Sequence, residues 1–239
     1  MATKRRASRL SPEQRTADIM AAARAVFAEK GFNDTVISEI ADRAGVVEGS
    51  IYRYFRNKRE LMFRVAEDWF EEMISTDEPT LAAVRGTWNR LRFIIHRHLT
   101  SIRSQPDLSR LVFQHLRPDP GYRDTRLFAL HQSYTSRLTS LVQEGIEAGD
   151  IRADLSPALV RDMIYGCIEH RTWAFLREEG DFDPDALADQ VTDLVRHGLQ
   201  TRDEPSGLDE ALARLEHAVD RLERPRTAVA ADSSGRRSA

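Results

Sequence analysis

The sequence predicts an all-α chain, with three short helices followed by about six long ones. Apolar residues recur at three- and four-residue intervals along most of its 239 residues, and no stretch alternates apolar and polar as a half-buried strand would. A cap residue followed by proline, at Ser11-Pro12, Ser156-Pro157 and Asp183-Pro184, writes helix starts directly into the chain. Hydrophobic residues make up 41%, an ordinary share for a packed core, which excludes wholesale disorder.

The first helix opens with Ser11 as cap, Pro12 at the first helical position and Gln14 closing a capping box. Ile19, Ala23, Val26 and Phe27 then share one face, and Gly31 ends the helix. Ile37, Ile40, Ala41 and Ala44 mark a second, short helix that Gly45 stops. A third runs from about Glu48 to Phe55, with Ile51, Tyr54 and Phe55 as its inner face. Asn57-Lys58-Arg59-Glu60 is another capping box, opening a helix through Leu61, Val65, Trp69 and Met73 to about residue 75. Beyond Pro79 the spacing predicts helices over about 80–104, 107–116, 121–149, 157–178 and 184–201.

Leu208, Leu212, Leu215, Val219 and Leu222 form a short heptad-like stripe over 206–224, too short to stand alone and expected to dock on the body or on a partner. Residues 225–239 read as a disordered tail and residues 1–11 as a basic, flexible arm.

Charge is distributed unevenly. Net charge is −3, yet residues 1–60 carry 12 Lys/Arg against 8 Asp/Glu, which suits a basic end offered to phosphate on an acidic body. No apolar run approaches the ~18 residues of a membrane span, so no membrane partner is expected. Ser11-Pro12-Glu13-Gln14 follows the basic start where a secretory signal would have an apolar core. With Cys167 the single cysteine, no internal disulfide can form, and a cytoplasmic location is the expectation.

Function concentrates between Phe27 and Leu61. Two short helices lie about four residues apart, joined at Ala44-Gly45-Val46, where Gly45 supplies the positive φ of a tight turn. If Ile51, Tyr54 and Phe55 lean inward, Gly49, Ser50, Tyr52 and Arg53 face outward. That small, polar, singly cationic face fits the wall of a major groove.

This stretch resembles the TetR family of regulators. The resemblance rests on Phe27-Ala28-Glu29-Lys30-Gly31-Phe32, then Thr35, Ile40-Ala41 and Ala44-Gly45-Val46, then Gly49-Ser50-Ile51-Tyr52-Arg53-Tyr54-Phe55 and Asn57-Lys58. It implies a helix-turn-helix DNA-binding domain over 12–62 and a helical ligand-binding and dimerisation domain over 63–203. It further implies phosphate contacts from Thr35, Val36 and Lys58, close backbone approach at Gly49 and Ser50, and phosphate or base contacts from Tyr52 and Arg53. Two departures stand out. Val36 and Val47 occupy cap positions where the family often has Ser or Thr, and valine accepts no capping hydrogen bond, a loss of about 1 kcal/mol each. Glu48 stands where the family often has a cation; its carboxylate suits the helix dipole and can accept from a cytosine amino group. The arm residues Lys4, Arg5, Arg6 and Arg9 are candidates to reach an adjacent groove.

In the body, aromatic side chains are plentiful, and a hollow bundle lined by them can take an apolar or aromatic ligand. Phe70, Trp88, Phe113, Phe128, His131, Tyr134, Glu169, His170 and Trp173 are the candidate pocket residues. Glu144-Gly145-Ile146 and Tyr165-Gly166 resemble the family branch that senses fatty acyl thioesters. The last two long helices match those that dimerise in the family, with Gly166, Leu187, Val191, Leu194 and Val195 as candidate interface residues; packing within one chain explains the stripe on the last helix equally well. Two recognition helices about 34 Å apart would read a palindrome.

Enzyme chemistry is not expected. His96 and His98 are two apart and the histidines show no metal spacing, so neither a metal nor a cofactor is expected. Cys167 sits in an apolar helix and reads as a buried, inert thiol. The expectation is a homodimeric repressor of double-stranded DNA, released when a small effector tilts the helix over about 58–75. An activator of the same fold, or a ligand-binding or enzymatic protein whose helix-turn-helix no longer reads DNA, are the alternatives.

Overall fold

The computed structural model describes residues 11–201, 211, 212, 214–217 and 219. Residues 1–10 of the predicted arm, the stripe ends Leu208 and Leu222, and the tail over 225–239 lie outside them.

Helix α1 spans Pro12–Asp34, with the Ser11 hydroxyl accepting from the Gln14 N–H at 3.2 Å. Gly31, at φ +74°, interrupts it, and one further turn carries the chain to Thr35. Helix α2 (Ile37–Arg43) ends in a Schellman motif: the Val46 N–H reaches the Ala41 carbonyl at 2.9 Å and the Gly45 N–H that of Asp42 at 3.1 Å. Gly45 sits at φ +63°, the conformation that the sequence predicts for it. Helix α3 (Glu48–Ile51) is shorter than predicted, and the chain continues as a hydrogen-bonded turn to Phe55.

Helix α4 (Lys58–Ala83) runs through Pro79 instead of ending before it. The proline removes one backbone donor, but Leu81 and Asp77 beside it are buried, and Asp77 accepts from Arg97 at 2.6 Å. The break falls instead at Gly86, at φ +83°, before α5 (Thr87–Ser104). Helix α6 (Pro106–Leu111) passes directly into a π-helical turn over Val112–Leu116, where the Arg117 N–H reaches back five residues to Val112 at 2.9 Å. Helices α7 (Arg126–Glu147), α8 (Pro157–Leu176) and α9 (Pro184–Leu199) follow. Ile151 and Gln200 form an isolated β-bridge.

Two apolar clusters hold these helices. One joins α1 to α4, the α6 π turn and the first half of α7; the other joins α5, α7, α8 and α9. Phe113 and Tyr165 pack against both. Apolar packing therefore runs unbroken across residue 62, from the helix-turn-helix into the body. Residues up to Gln200 form one compact unit and those from Thr201 another. In the second unit, residues 211, 212, 214–217 and 219 are helical, and Leu212, Leu215 and Val219 are exposed. Among the described residues, no helix is long and apolar enough to cross a membrane.

Candidate nucleic-acid interface and ligand cavity

The reading head is built on α2 and α3. Ile37, Ile40, Ala41, Ile51 and Phe55 are buried and anchor both helices to α1 and α4. Tyr52 is 50% exposed, and Gly49 and Arg53 are exposed beside it, as the helical phase predicts; Ser50 is half-buried. Tyr54 departs from its predicted inner position and is 37% exposed, because α3 stops at Ile51 and the phase changes in the turn. Val36 and Val47 cap α2 and α3 without a side-chain hydrogen bond, and both are exposed, Val47 to 75%. Together with Tyr52 and Tyr54 they give the surface an apolar component. Glu48, next to Val47, is exposed.

Two residues expected at phosphate face elsewhere. Thr35 is buried, and its hydroxyl donates to the Gly31 carbonyl at 2.6 Å, closing the last turn of α1. Lys58 donates to the carbonyls of Phe32 at 2.7 Å, Thr35 at 2.8 Å and Asn33 at 3.4 Å, and lies 4.3 Å from the centre of the Phe32 ring. Its three ammonium protons are thus spent on the carbonyl end of α1. Arg43 forks onto Glu29 at 2.5 and 2.7 Å and Lys30 pairs with Glu39. These ion pairs hold the Glu29 and Glu39 carboxyls below the usual range, chiefly through the hydrogen bonds from Arg43 and Lys30. Arg53 and Arg56, unlike Arg43 and Lys30, have no ion pair among the described residues.

The body holds a partly open cavity of about 330 Å³. Trp69, Phe70 and Met73 reach it from α4, His98 and Ile102 from α5, and Val112, Phe113 and Arg117 from the π turn and its end. His131 and Tyr134 come from α7, and Arg161, Asp162, Tyr165, Gly166 and Glu169 from α8. Of the candidate pocket residues, Phe70, Phe113, His131, Tyr134 and Glu169 line this cavity. The other four candidates lie elsewhere. Trp88 packs in the α5–α9 contact with Arg196 over its ring at 5.7 Å. Phe128 meets the Tyr122 ring at 5.5 Å, Trp173 lies behind Phe113 at 6.2 Å, and His170 faces outward on α8.

His98 and Tyr165 are not among the candidate pocket residues, although the sequence marks Tyr165 in the Tyr165-Gly166 resemblance and His98 carries a signal. It interrupts the stripe Leu91, Ile95, Leu99 and Ile102 of α5, which is otherwise apolar and buried. Its Nδ1 lies 3.1 Å from the Tyr134 hydroxyl. Burial, reinforced by His131, Arg137 and Arg117, pushes its pKa down to about 3. Burial, with Arg117 and Arg161, pushes His131 down to about 4. Burial raises both Tyr134 and Tyr165. All four rings are therefore uncharged at neutral pH. The cavity's charged groups are matched in pairs, Arg117 with Glu169 at 2.7 Å and Arg161 with Asp162 at 2.8 Å.

The cavity wall is physically continuous with the reading head. Helix α4 begins at the Lys58 tether and lines the cavity three turns later. The π turn lines it through Val112 and Phe113, while His115 in the same turn stacks on Phe32 at 5.5 Å. Asp119, just beyond, accepts from Arg59 of α4 at 2.8 Å. A second cavity of about 210 Å³ lies at this joint, between the end of α1 and the π turn.

The candidate dimer residues divide. Leu187 and Val191 are buried within the chain's own second cluster and Val195 packs against it, so the predicted α9 stripe is intramolecular. Leu194 is 73% exposed, and Gly166 is exposed on α8. Leu159 and Met163, the latter 60% exposed, share the outer face of α8 with Cys167, whose thiol is exposed and not buried as expected.

Residues 19–65 match the family model for bacterial regulatory proteins of the tetR family, and residues 85–199 that of the tetracyclin repressor-like C-terminal domain. The fatty acid metabolism regulator protein of Bacillus subtilis is 26% identical over 184 residues, 77% of this chain and 95% of its own length. The HTH-type transcriptional repressor KstR2 of Mycolicibacterium smegmatis is 26% identical over 199 residues, 79% of this chain and 92% of that protein. The crystal structure of the transcriptional regulator FadR from Bacillus subtilis in complex with stearoyl-CoA is similar with a TM-score of 0.69 and 27% identity, covering 76% of this chain and 98% of that one. An N-terminal head that reads DNA, a body holding a cavity, and both family models in the matching order lead to one conclusion: the chain belongs to the tetR family, and it is a ligand-responsive transcriptional regulator that binds DNA, not an enzyme.

Proposed function

We propose that this regulator is a homodimeric repressor, released from a palindromic operator by a small apolar effector in the cavity, with fatty acyl thioesters the first class to test. The observation that carries the reading is the shared wall: α4 and the π turn line the cavity and also meet the end of α1 at Phe32, through Lys58 and His115. π turns of this kind recur at functional sites. An occupant that displaces Phe113 or Phe70 would move His115 against Phe32 and Arg59 against Asp119 together. Release therefore runs through the π turn as well as through α4, the single path expected from sequence. Repression and the thioester class are supported by KstR2, named a repressor, and by FadR, solved with stearoyl-CoA. The exposed apolar residues Leu159, Met163 and Leu194 support the dimer.

The test is recovery of bound fragments from a random DNA pool by the full chain. A palindrome with half-sites about one helical turn apart is expected, with affinity falling steeply as salt rises. Stearoyl-CoA should weaken that binding, and operator DNA should weaken stearoyl-CoA binding by the same factor. Tyr52→Ala and Arg53→Ala should each cut operator affinity at least tenfold, about 1.4 kcal/mol, with unfolding midpoints unchanged. Wild-type affinity in both variants would show that the reading face lies elsewhere.

A further inference from the structure

Resting on the proposed reading face, we propose that Val47 reads a thymine in each half-site by packing against its C5-methyl group. Among the described residues Val47 is the most exposed large apolar side chain, at 75%. It directly precedes α3, and its side chain makes no capping hydrogen bond. Its backbone is extended, at φ −78° and ψ 147°, which suits a β-branched residue. Threonine has the same branching and would accept a capping hydrogen bond as well. Backbone preference therefore explains the branching but not the choice of a methyl group over a hydroxyl. A valine here forgoes the cap and leaves its methyl groups in solvent, so its use lies with an apolar partner.

The neighbouring side chain narrows what that partner is. Glu48 follows Val47, is exposed, and has no ion pair among the described residues. Neither a carboxylate nor a valine can donate a hydrogen bond to a phosphate oxygen. These two side chains are therefore unsuited to the DNA backbone, and the floor of the groove remains. Recognition helices of the helix-turn-helix kind enter the major groove with their N-terminal residues at the base edges. Of the four bases only thymine presents a methyl group there, so thymine is the base against which Val47 can bury its exposed surface. Val36, the other uncapped valine, is 51% exposed before α2. The first helix of such a pair crosses the backbone, so Val36 meets phosphate and sugar and reads no base.

The test replaces thymines of the recovered operator by deoxyuridine, one position at a time in both half-sites. The exchange removes the methyl group and keeps every hydrogen-bonding atom of the base. At one position it should weaken binding of the full chain by about fourfold per half-site, the value of one buried methyl group, and about fifteenfold over the palindrome. Val47→Ser should bind the thymine and uracil operators equally. Its new hydroxyl can cap α3, so its unfolding midpoint should equal or exceed that of wild type, which separates a lost contact from a damaged fold. Val36→Ala should keep the wild-type preference for thymine. A wild type indifferent to uracil at every thymine, a preference that survives in Val47→Ser, or one lost equally in Val36→Ala would each overturn the proposal. An operator that depends on Tyr52 and Arg53 yet ignores the methyl groups overturns this proposal alone. Wild-type affinity in Tyr52→Ala and Arg53→Ala overturns the reading face itself.

Discussion

Lys58 shows what a motif conveys at the scale of one residue and what it leaves out. Its place after Asn57, next to the reading head, matches a phosphate contact, yet its ammonium closes the carbonyl end of α1. A cation at a helix C-terminus is favoured by the dipole, and three carbonyls 2.7 to 3.4 Å away outcompete a solvated phosphate. We therefore expect Lys58→Met to lower stability by about 1–3 kcal/mol, measured by urea unfolding. The salt slope of operator binding should stay unchanged, whereas Arg53→Ala should reduce it by about one. A reduced slope in Lys58→Met would return the residue to the DNA surface. Thr35 carries the same lesson: its position was legible, but the direction of its hydroxyl was set by the kink at Gly31.

At the scale of the element, periodicity marked the faces of α8 and α9 without saying what each one meets. Leu187 and Val191 turn toward α5, where Arg92 reaches Asp185 and Asp189 at 3.2 and 2.5 Å, leaving Leu194 outside. On α8 the unpartnered face carries Leu159 and Met163. Met163→Glu puts a charge on that face without touching the core. It should convert the proposed dimer to monomer in sedimentation and lower operator affinity, while the far-UV spectrum stays helical. A variant that remained dimeric would exclude this face as the interface. Helix ends were read less well than helix faces. Pro79 is tolerated because tertiary contacts hold α4 together through it, and the π turn after α6 has no local signature in the chain.

For the whole molecule, the buried rings predict a pH dependence. In the unfolded chain His98 and His131 take a proton near pH 6.5; in the fold, burial delays that to about 3 and about 4. Between those values the unfolded state binds more protons, so stability rises with pH and falls as pH drops below 6.5. The loss approaches about 1.4 kcal/mol per pH unit for each histidine. Glu67 and Asp68, raised by burial, act in the opposite sense, so the comparison needs a variant. The unfolding midpoint should be lower at pH 5 than at pH 7, and His131→Gln should shrink the difference. A midpoint equally sensitive in the variant would refute the assignment.

The sequence by itself determined the helices, the Gly45 turn, the family and the outward face of Tyr52 and Arg53. These depend on neighbours a few residues apart, whose spacing is covalent. Tertiary structure alone decided which rings surround a cavity and that Lys58 is a tether. Each of those depends on side chains brought together from distant parts of the chain, and no local period encodes which of them meet.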